Sequence, residues 1–233
     1  MLNILYLDDY LASVDKPAGL LTHRTGLDAG ETRFALQMLR DQIGRPVWPV
    51  HRLDKGTSGV LLFALSAEVA RRLGSAFEHG EGLHKSYWAV VRGWPADHGE
   101  IDHPLRRMDD EARAGRLARL PAQTRYQRLA CYELPLPQGP HPRTRAALLA
   151  LQPLTGRRHQ LRRHMKHIAH PILGDSTHGK GPLNRAVAAL LGQQRLWLHA
   201  HRLRLTHPVT GAALHIEAPP DAAWGLWQRW QVD

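Results

Sequence analysis

Residues 51–59 read His-Arg-Leu-Asp-Lys-Gly-Thr-Ser-Gly, and a continuous apolar run, residues 60–64, follows directly. The one acid of this stretch, Asp54, lies near Arg52 and beside Lys55, and neighbouring positive charge favours the ionised form of a carboxylate. A small-residue turn before a buried strand can present such a side chain in a cleft. An aspartate here can also cap the turn through its own side chain. On spacing alone the capping role is the commoner one, so the stretch marks Asp54 as a candidate without assigning it.

Apolar periodicity predicts strands and helices interspersed along the whole chain. The predicted strands cover residues 4–7, 11–14, 60–64, 85–92, 143–151, 196–205 and 213–218. The predicted helices cover residues 34–42, 66–77, 157–168 and 221–230, and residues 106–119 and 134–142 are predicted to be exposed connections. Strands and helices without regular β-α-β alternation indicate an α+β fold with a mainly antiparallel or mixed sheet and flanking helices.

The charge balance of the chain favours a polyanionic partner. Its 233 residues include 31 Lys and Arg against 21 Asp and Glu, a formal net charge of +10, and 26 of the basic residues are Arg. Basic side chains release the counterions condensed on phosphates, and the planar guanidinium suits phosphates and base edges. A G+C-rich genome also enriches Arg codons. Composition therefore suggests nucleic acid and leaves the genomic explanation open.

Cysteine content and hydropathy limit the class of protein. Cys131 is the only cysteine, which excludes an internal disulfide and a Cys-based zinc site. Residues 1–15 alternate apolar and acidic side chains, unlike the basic-then-apolar layout of a signal peptide. No apolar run approaches membrane-spanning length. We therefore expect a cytoplasmic protein with no membrane partner.

Several sequence motifs resemble those of the RluA-type pseudouridine synthases and occur along the chain in the same order as in that family. Residues 51–59 are similar to the signature of that family, in which HRLD is followed by variable residues and TSG. The other matching segments are Lys16-Pro17-x-Gly19 with His23, Lys85-x-Tyr87-x-Ala89-x-Val91-x-Gly93, Thr155 to His164, Pro171 to Asp175, Leu198-His199-Ala200 and His207-Pro208. Because these matches keep their register over most of the chain, the resemblance implies the α+β catalytic fold of the family, with an active-site cleft.

The resemblance implies an isomerase that needs neither cofactor nor metal. Pseudouridine formation breaks the N1–C1′ bond of a uridine, turns the uracil, joins C5 to C1′ and removes the C5 proton. Nothing is oxidised and no group is imported. An ionised carboxylate must stabilise or trap the sugar cation, much as in retaining glycosidases. The resemblance gives that role to Asp54, and leaves open whether it attacks the sugar, attacks the base or abstracts a proton.

Two further catalytic residues follow from the same resemblance. Arg162 occupies the family position that pairs with the catalytic carboxylate, and would hold Asp54 ionised and oriented. Tyr87 occupies the position whose ring stacks on the target base and whose hydroxyl can take part in proton transfer. Taken without the motifs, Arg162 could instead contact a phosphate, and Tyr87 could be an ordinary core residue.

Arginines are the expected contacts to RNA. Arg52 occupies the family position that fills the stack left by the extruded uridine, since chemistry on a paired base demands extrusion. Arg157, Arg158 and Arg163 are candidates for phosphate contacts.

The chain contains 16 histidines, and four of them are close in sequence: His159, His164, His167 and His170. This grouping raises a metal hypothesis, but no nearby Cys, Asp or Glu completes a ligand set. Contact with RNA or simple surface exposure is the favoured explanation, so no metal site is predicted.

Domain organisation and local details suggest the substrate. We expect residues 1–233 to form one catalytic domain of two closely joined subdomains, a monomer without an N-terminal RNA-binding domain. Residues 164–171 and 174–179 resemble a subfamily that modifies a uridine in a tRNA stem, conventionally uridine 65. The alternatives are a ribosomal RNA pseudouridine synthase, a non-catalytic RNA-binding or RNA-remodelling module, and a glycosidase that releases uracil.

Overall fold

The computed structural model describes residues 1–23, 30–79, 82–107 and 119–232. The described strands, in chain order, are β1 Asn3–Leu7, β2 Leu11–Lys16, β3 Trp48–Pro49, β4 Ser58–Ala64, β5 His84–Arg92, β6 His98–Asp102, β7 Leu105–Arg106, β8 Arg119–Leu120, β9 Gln123–Leu134, β10 Thr144–Pro153, β11 Leu198–Thr206, β12 Ala213–Glu217 and β13 Gln231–Val232. The helices are α1 Ala35–Ile43, α2 Ala67–His79, α3 Gln160–His167 and α4 Gly181–Leu191, and a 3-10 helix covers Ala222–Trp230. The chain forms two compact units, and the elements confirm the predicted α+β class.

The first unit comprises residues 1–85 and 199–220. Its strands lie in the order β1, β2, β4, β11, with β3 paired to β4 and β12 paired to β11. The pairing of β4 with β11 is parallel and the others are antiparallel, so the sheet is mixed. All seven residues of β4 are buried, which explains the continuous apolar run that follows Asp54.

Gly59 allows the backbones of β4 and β11 to lie close together. Gly59 has φ +105, and a Cβ atom there would lie 2.2 Å from the carbonyl oxygen of Ala200. No larger side chain fits without displacing backbone. The last residue of the 51–59 stretch is therefore required by strand packing, and it fixes where the Asp54 turn leaves the sheet.

The second unit comprises residues 86–198 and 221–233. Its strands lie in the order β5, β10, β9, β13, with β6 also paired to β9, and β7 and β8 form a separate two-stranded ribbon. Trp224, Trp227 and Trp230 are at helical spacing, which predicts that they pack into the core. Trp224 and Trp227 are buried, and both rings meet Trp197 edge-on, while Trp230 is partly buried. Aromatic packing therefore holds the end of the chain in this unit.

The structure differs from the sequence-based prediction in several elements. The short strands β3, β6, β7, β8 and β13 are not predicted. Strand β9 and helix α4 are not predicted, α3 begins three residues later than expected, and residues 222–230 form a 3-10 helix rather than an α-helix. In β9 only Thr124, Tyr132 and Leu134 are buried, so its apolar pattern is weak, and pairing on both edges maintains the strand. Most of the connection predicted at residues 106–119 lies outside the described residues.

Among the residues that the structure describes, no helix is both long enough and apolar enough to cross a membrane.

Candidate active site

The loop that carries Asp54 is tied to a neighbouring segment on both sides of that residue. The Thr22 hydroxyl donates to the carbonyl of Leu53 and accepts the N–H of the same residue, each at 3.2 Å. The carbonyl of Lys55 accepts the N–H of Gly19 at 2.8 Å. These bonds hold the backbone on both sides of Asp54 in place.

A buried lysine lies beneath this loop. Lys16 is fully buried, and its ammonium donates to the carbonyls of Pro17 at 2.9 Å, Leu20 at 2.7 Å and Lys55 at 3.3 Å. Three carbonyl acceptors match the three N–H donors of an ammonium group. Lys16 thus joins the Pro17–Leu20 segment to the loop of Asp54.

Two opposing effects act on the pKa of Lys16. Burial lowers the pKa of Lys16 to about 7, while the negative charges of Asp54 and Asp15 act in the opposite direction. The carbonyl hydrogen bonds also favour the charged form, because neutral lysine has one donor fewer. Asp54 and the buried Lys16 therefore interact electrostatically within one unit.

Replacing Lys16 with Met is expected to destabilise the protein. The buried carbonyl of Leu20 and the carbonyl of Pro17 lose the donor that Lys16 supplies, while the carbonyl of Lys55 keeps the N–H of Gly19. The free energy of unfolding should therefore fall by about 1–3 kcal/mol. Urea denaturation of wild type and variant measures this. Lys180→Met, at an exposed lysine, is the matched control and should leave the midpoint unchanged. Equal midpoints for all three proteins would show that Lys16 is not a structural cation.

The histidine at the start of the 51–59 stretch is structural. The Nε2 atom of His51 accepts the N–H of Leu62 at 3.0 Å, and its ring stacks on Phe77 at 4.6 Å between centroids. Burial, and then the charge of Lys85, lower the pKa of His51 to about 3. The ring is neutral near neutral pH, and its acceptor at Nε2 anchors the loop to β4.

A buried serine–histidine pair supports the other end of the loop. The Nε2 atom of His199 lies 3.0 Å from the carbonyl of Ala218 and must donate to it, so Nδ1 accepts from the Ser58 hydroxyl at 2.9 Å. Ser58 and His199 are both buried. The pair is a buried hydrogen bond that links β4 to β11. Asp54 is half-buried between these supports, while Arg52 is exposed.

Arg162, in the second unit, is held by a carboxylate that the sequence did not single out. The Nε and Nη2 atoms of Arg162 each lie 2.8 Å from an oxygen of Asp175. The two side chains are 8% and 0% exposed. A bidentate pair of this kind fixes the plane of the guanidinium as well as its position. The predicted pairing of Arg162 with Asp54 involves both units and stays a prediction.

Asp175 has its own supports. Burial opposes its ionisation, but hydrogen bonds from Arg162 and from the N–H groups of His178 and Thr177 outweigh burial and lower the pKa of Asp175. Asn184 fixes the same turn, donating to the carbonyl of Asp175 at 2.8 Å and accepting a neighbouring N–H. The sequence signal available for Asp175 was its place at the end of the motif from Pro171 to Asp175.

Tyr87 lies on β5, opposite Leu151 of β10. Its half-buried ring packs against a cluster of buried side chains that includes Leu161 and Met165 of α3. Core packing therefore accounts for one part of the Tyr87 side chain. Because Tyr87 is only partly buried, it remains compatible with stacking on a base.

The start of α3 concentrates positive charge. His159 precedes the helix at φ 54, a left-handed conformation that is uncommon outside glycine. Arg158 is exposed, and Arg157 and Arg163 are half-buried. Their side chains donate to backbone carbonyls, Arg157 to Pro121 and Arg163 to Arg106, which leaves further guanidinium donors on each of these two for an anion.

The histidines near α3 do not form one cluster. His164 is buried, and its ring bonds to the Thr124 hydroxyl and to the carbonyl of His103, so neither RNA contact nor surface exposure describes it. His159 instead bonds to His178 at 3.1 Å. The part of the chain that the structure describes contains no group of three or more His, Cys, Asp or Glu side chains arranged to hold a metal ion.

Comparison with known proteins gives consistent matches over the whole chain. The family described as RNA pseudouridylate synthase matches residues 10–167. A tRNA pseudouridine synthase C from Pasteurella multocida is 51% identical, with 96% of this chain and 93% of the relative covered. The protein of the same name from Yersinia pestis is 50% identical, with 96% and 88% covered. These matches confirm the resemblance seen in the sequence motifs.

Solved structures agree with the fold. The human protein RNA Pseudouridylate Synthase Domain Containing 1 superposes with a TM-score of 0.76 at 26% identity, covering 99% of this chain and 88% of that one. The human protein RNA Pseudouridylate Synthase Domain Containing 4 superposes with a TM-score of 0.71 at 26% identity, covering 97% of this chain and 92% of that one.

Proposed function

The chain belongs to the RNA pseudouridylate synthase family, and from this premise we propose that it isomerises a uridine of tRNA to pseudouridine with Asp54 as its catalytic carboxylate. The tRNA substrate is proposed because relatives about half identical over most of both chains are named tRNA pseudouridine synthase C. The observation that carries the role of Asp54 is its position: it is half-exposed on a loop bonded on both sides, with buried Lys16 in electrostatic range.

A rigid, accessible carboxylate suits the bond changes of this isomerisation. As the N1–C1′ bond breaks, positive charge develops on the sugar, and an ionised Asp54 stabilises or traps it. The uracil then turns, C5 bonds to C1′, and the C5 proton leaves to a base. Every atom of the product comes from the substrate, so the proposed reaction requires no cofactor and no metal.

Arg162 and Tyr87 complete the proposed catalytic group. Two hydrogen bonds to Asp175 fix the orientation of the Arg162 guanidinium. Little conformational entropy is therefore lost when Arg162 acts on Asp54. Tyr87 presents a half-buried ring supported by the core of its own unit, suited to stacking on the extruded uracil. Both roles are proposed from the family motifs together with these supports.

Contacts to the rest of the RNA are proposed for four arginines. Exposed Arg52 would take the place of the extruded uridine in the stack, which offsets a few kcal/mol of unpairing. Arg157, Arg158 and Arg163 at the start of α3 would bind phosphates. The proposed target is uridine 65, in the stem near the acceptor and T arms, as in the subfamily that the motifs resemble.

The substrate proposal predicts a preference for whole tRNA. A folded tRNA offers a dense phosphate surface remote from the target uridine, and a short stem-loop with the same uridine lacks it. We expect the stem-loop to react at least about tenfold more slowly, corresponding to the loss of a few phosphate contacts. The assay compares transcribed tRNA, the stem-loop and ribosomal RNA fragments at one salt concentration, and maps the pseudouridine formed.

The outcome separates the alternatives. Preference for a ribosomal fragment would contradict the tRNA proposal and leave the chemistry at Asp54 in place. Binding of tRNA without any product would favour the RNA-binding or remodelling module. Free uracil in the product analysis would identify a glycosidase that cleaves the N1–C1′ bond without forming the C5–C1′ bond.

A further inference from the structure

A basic surface in the second unit joins the β7–β8 ribbon to α3. Arg163 of α3 donates to the carbonyl of Arg106 in β7 at 2.9 Å. His164 of α3 donates to the carbonyl of His103, just before β7, at 3.0 Å. These bonds fix the ribbon against the helix. The resulting α3–ribbon surface is formed by His103, Arg106, Arg119, Arg163, Lys166 and His167.

Two histidine rings stack at the centre of this surface. The centroids of His103 and His167 are 3.7 Å apart and the ring planes differ by 14°. His167 is exposed and His103 is half-buried. Two protonated imidazoles at this separation would repel each other strongly. The stack is therefore suited to neutral or singly protonated rings unless an anion lies beside it.

The charges that face the stack are positive. Burial, and then the charges of His167, Arg119 and Arg163, lower the pKa of His103. Arg106, Arg119, Arg163 and Lys166 form no salt bridge with any carboxylate of the described residues.

Few carboxylates lie close to His103 or His167 in the sequence. Asp102, which precedes His103, accepts a hydrogen bond from Gln123. The sequence between β7 and β8 contains Asp109, Asp110 and Glu111, which lie outside the described residues. Among the described residues the α3–ribbon surface thus collects positive charge around His103 and His167, without a carboxylate in a salt bridge to these arginines and Lys166. Buried His164, which interacts electrostatically with both rings, is a third titratable group here.

We propose that the stacked His103 and His167, with Arg119 and Arg163 beside them, bind a backbone phosphate of the RNA substrate and take up a proton when they do so. A phosphodiester brings negative charge, which the described part of this surface does not supply. It would interact with imidazolium, ammonium and guanidinium donors together. The proposal rests on RNA being the substrate, and it adds to the arginine contacts a site whose charge changes near neutral pH.

The direction of the pH effect follows from linkage. A bound phosphate raises the pKa of His103 above its lowered value in the free protein, so the complex carries more protons than its separated components. Affinity for RNA should therefore rise as pH falls through the range between the lowered free value of His103 and the raised bound value. Phosphodiesters do not titrate in this range, so the change belongs to the protein.

The test measures the Kd of transcribed tRNA at one salt concentration. For wild type we expect binding about fivefold tighter or more at pH 6 than at pH 8, since one linked proton gives at most about tenfold per pH unit. The His103→Gln/His167→Gln double variant should lose most of this pH dependence. His141→Gln, at an exposed histidine in a loop of the same unit, is the matched control and should keep it.

A second measurement guards against misfolding of the double variant. Arg119→Gln should weaken binding at both pH values and reduce the slope of log K against log salt by about one. Equal pH dependence in wild type and the double variant would overturn the proposal, and so would an unchanged salt slope in Arg119→Gln. Failure of the proposed function would appear separately, as absence of pseudouridine from saturating tRNA incubated with wild type.

Discussion

Replacing Asp54 with Asn is expected to lower the rate of pseudouridine formation by about a thousandfold or more, as losses of a reacting group do in other enzymes. Asparagine keeps the size of the side chain and the backbone bonds of the loop, but it cannot carry the negative charge that stabilises or traps the sugar cation. RNA affinity should stay within about threefold, because binding arises mainly from phosphate contacts. Single-turnover assays with excess enzyme separate the two effects.

The matched control is Asp41→Asn, at an exposed aspartate on α1 of the same unit whose side chain bonds only to its neighbour Arg40 among the described partners. This variant should retain the wild-type rate. Turnover by purified Asp54→Asn within about tenfold of wild type would contradict the carboxylate assignment. In that case Asp54 would be a turn residue, as its spacing alone allows.

Arg162→Ala is expected to lower the rate by about a hundredfold, because a carboxylate displaced by even 1 Å from its productive position loses that much. The loss should lie in kcat, with KM for tRNA changed little, since a residue that acts on Asp54 contributes to the reacting centre rather than to RNA affinity. Arg162→Lys should not restore the rate, because an ammonium cannot reproduce the bidentate fork. Weaker RNA binding with an unchanged kcat would instead make Arg162 a phosphate contact.

Asp175 provides an independent check on the same argument. Asp175→Asn retains one acceptor for Arg162 but removes the charge and one side of the fork, so kcat should fall by about tenfold through loss of orientation. If Asp175 only stabilised the fold, the variant would show a lower free energy of unfolding with kcat unchanged. Urea denaturation alongside the kinetic measurement distinguishes the two.

Some elements could be predicted from the sequence, because an element that is buried on one face or along its whole length leaves a recognisable pattern of apolar residues. Strand β4 is buried along its whole length and appears in the sequence as an unbroken apolar run, and the terminal tryptophans appear at helical spacing. Strand β9 could not be predicted, because it is held by hydrogen bonds on both edges rather than by a buried apolar face. Helix α3 begins late because His159 adopts a left-handed conformation, which the surrounding polar sequence does not indicate.

The sequence by itself determined the family, the α+β class and the candidate residues, because the motifs require particular chemical groups at fixed spacing. Tertiary structure decided which groups hold those candidates in place. Lys16 meets the carbonyl of Lys55 from 39 residues away, and Ser58 meets His199 from 141 residues away. Asp175 was visible in the sequence as part of a motif, but only folding brought its carboxylate onto Arg162. Partners this distant leave no periodic signal along the chain, since hydrogen-bond geometry is set by the folded backbone and not by sequence separation.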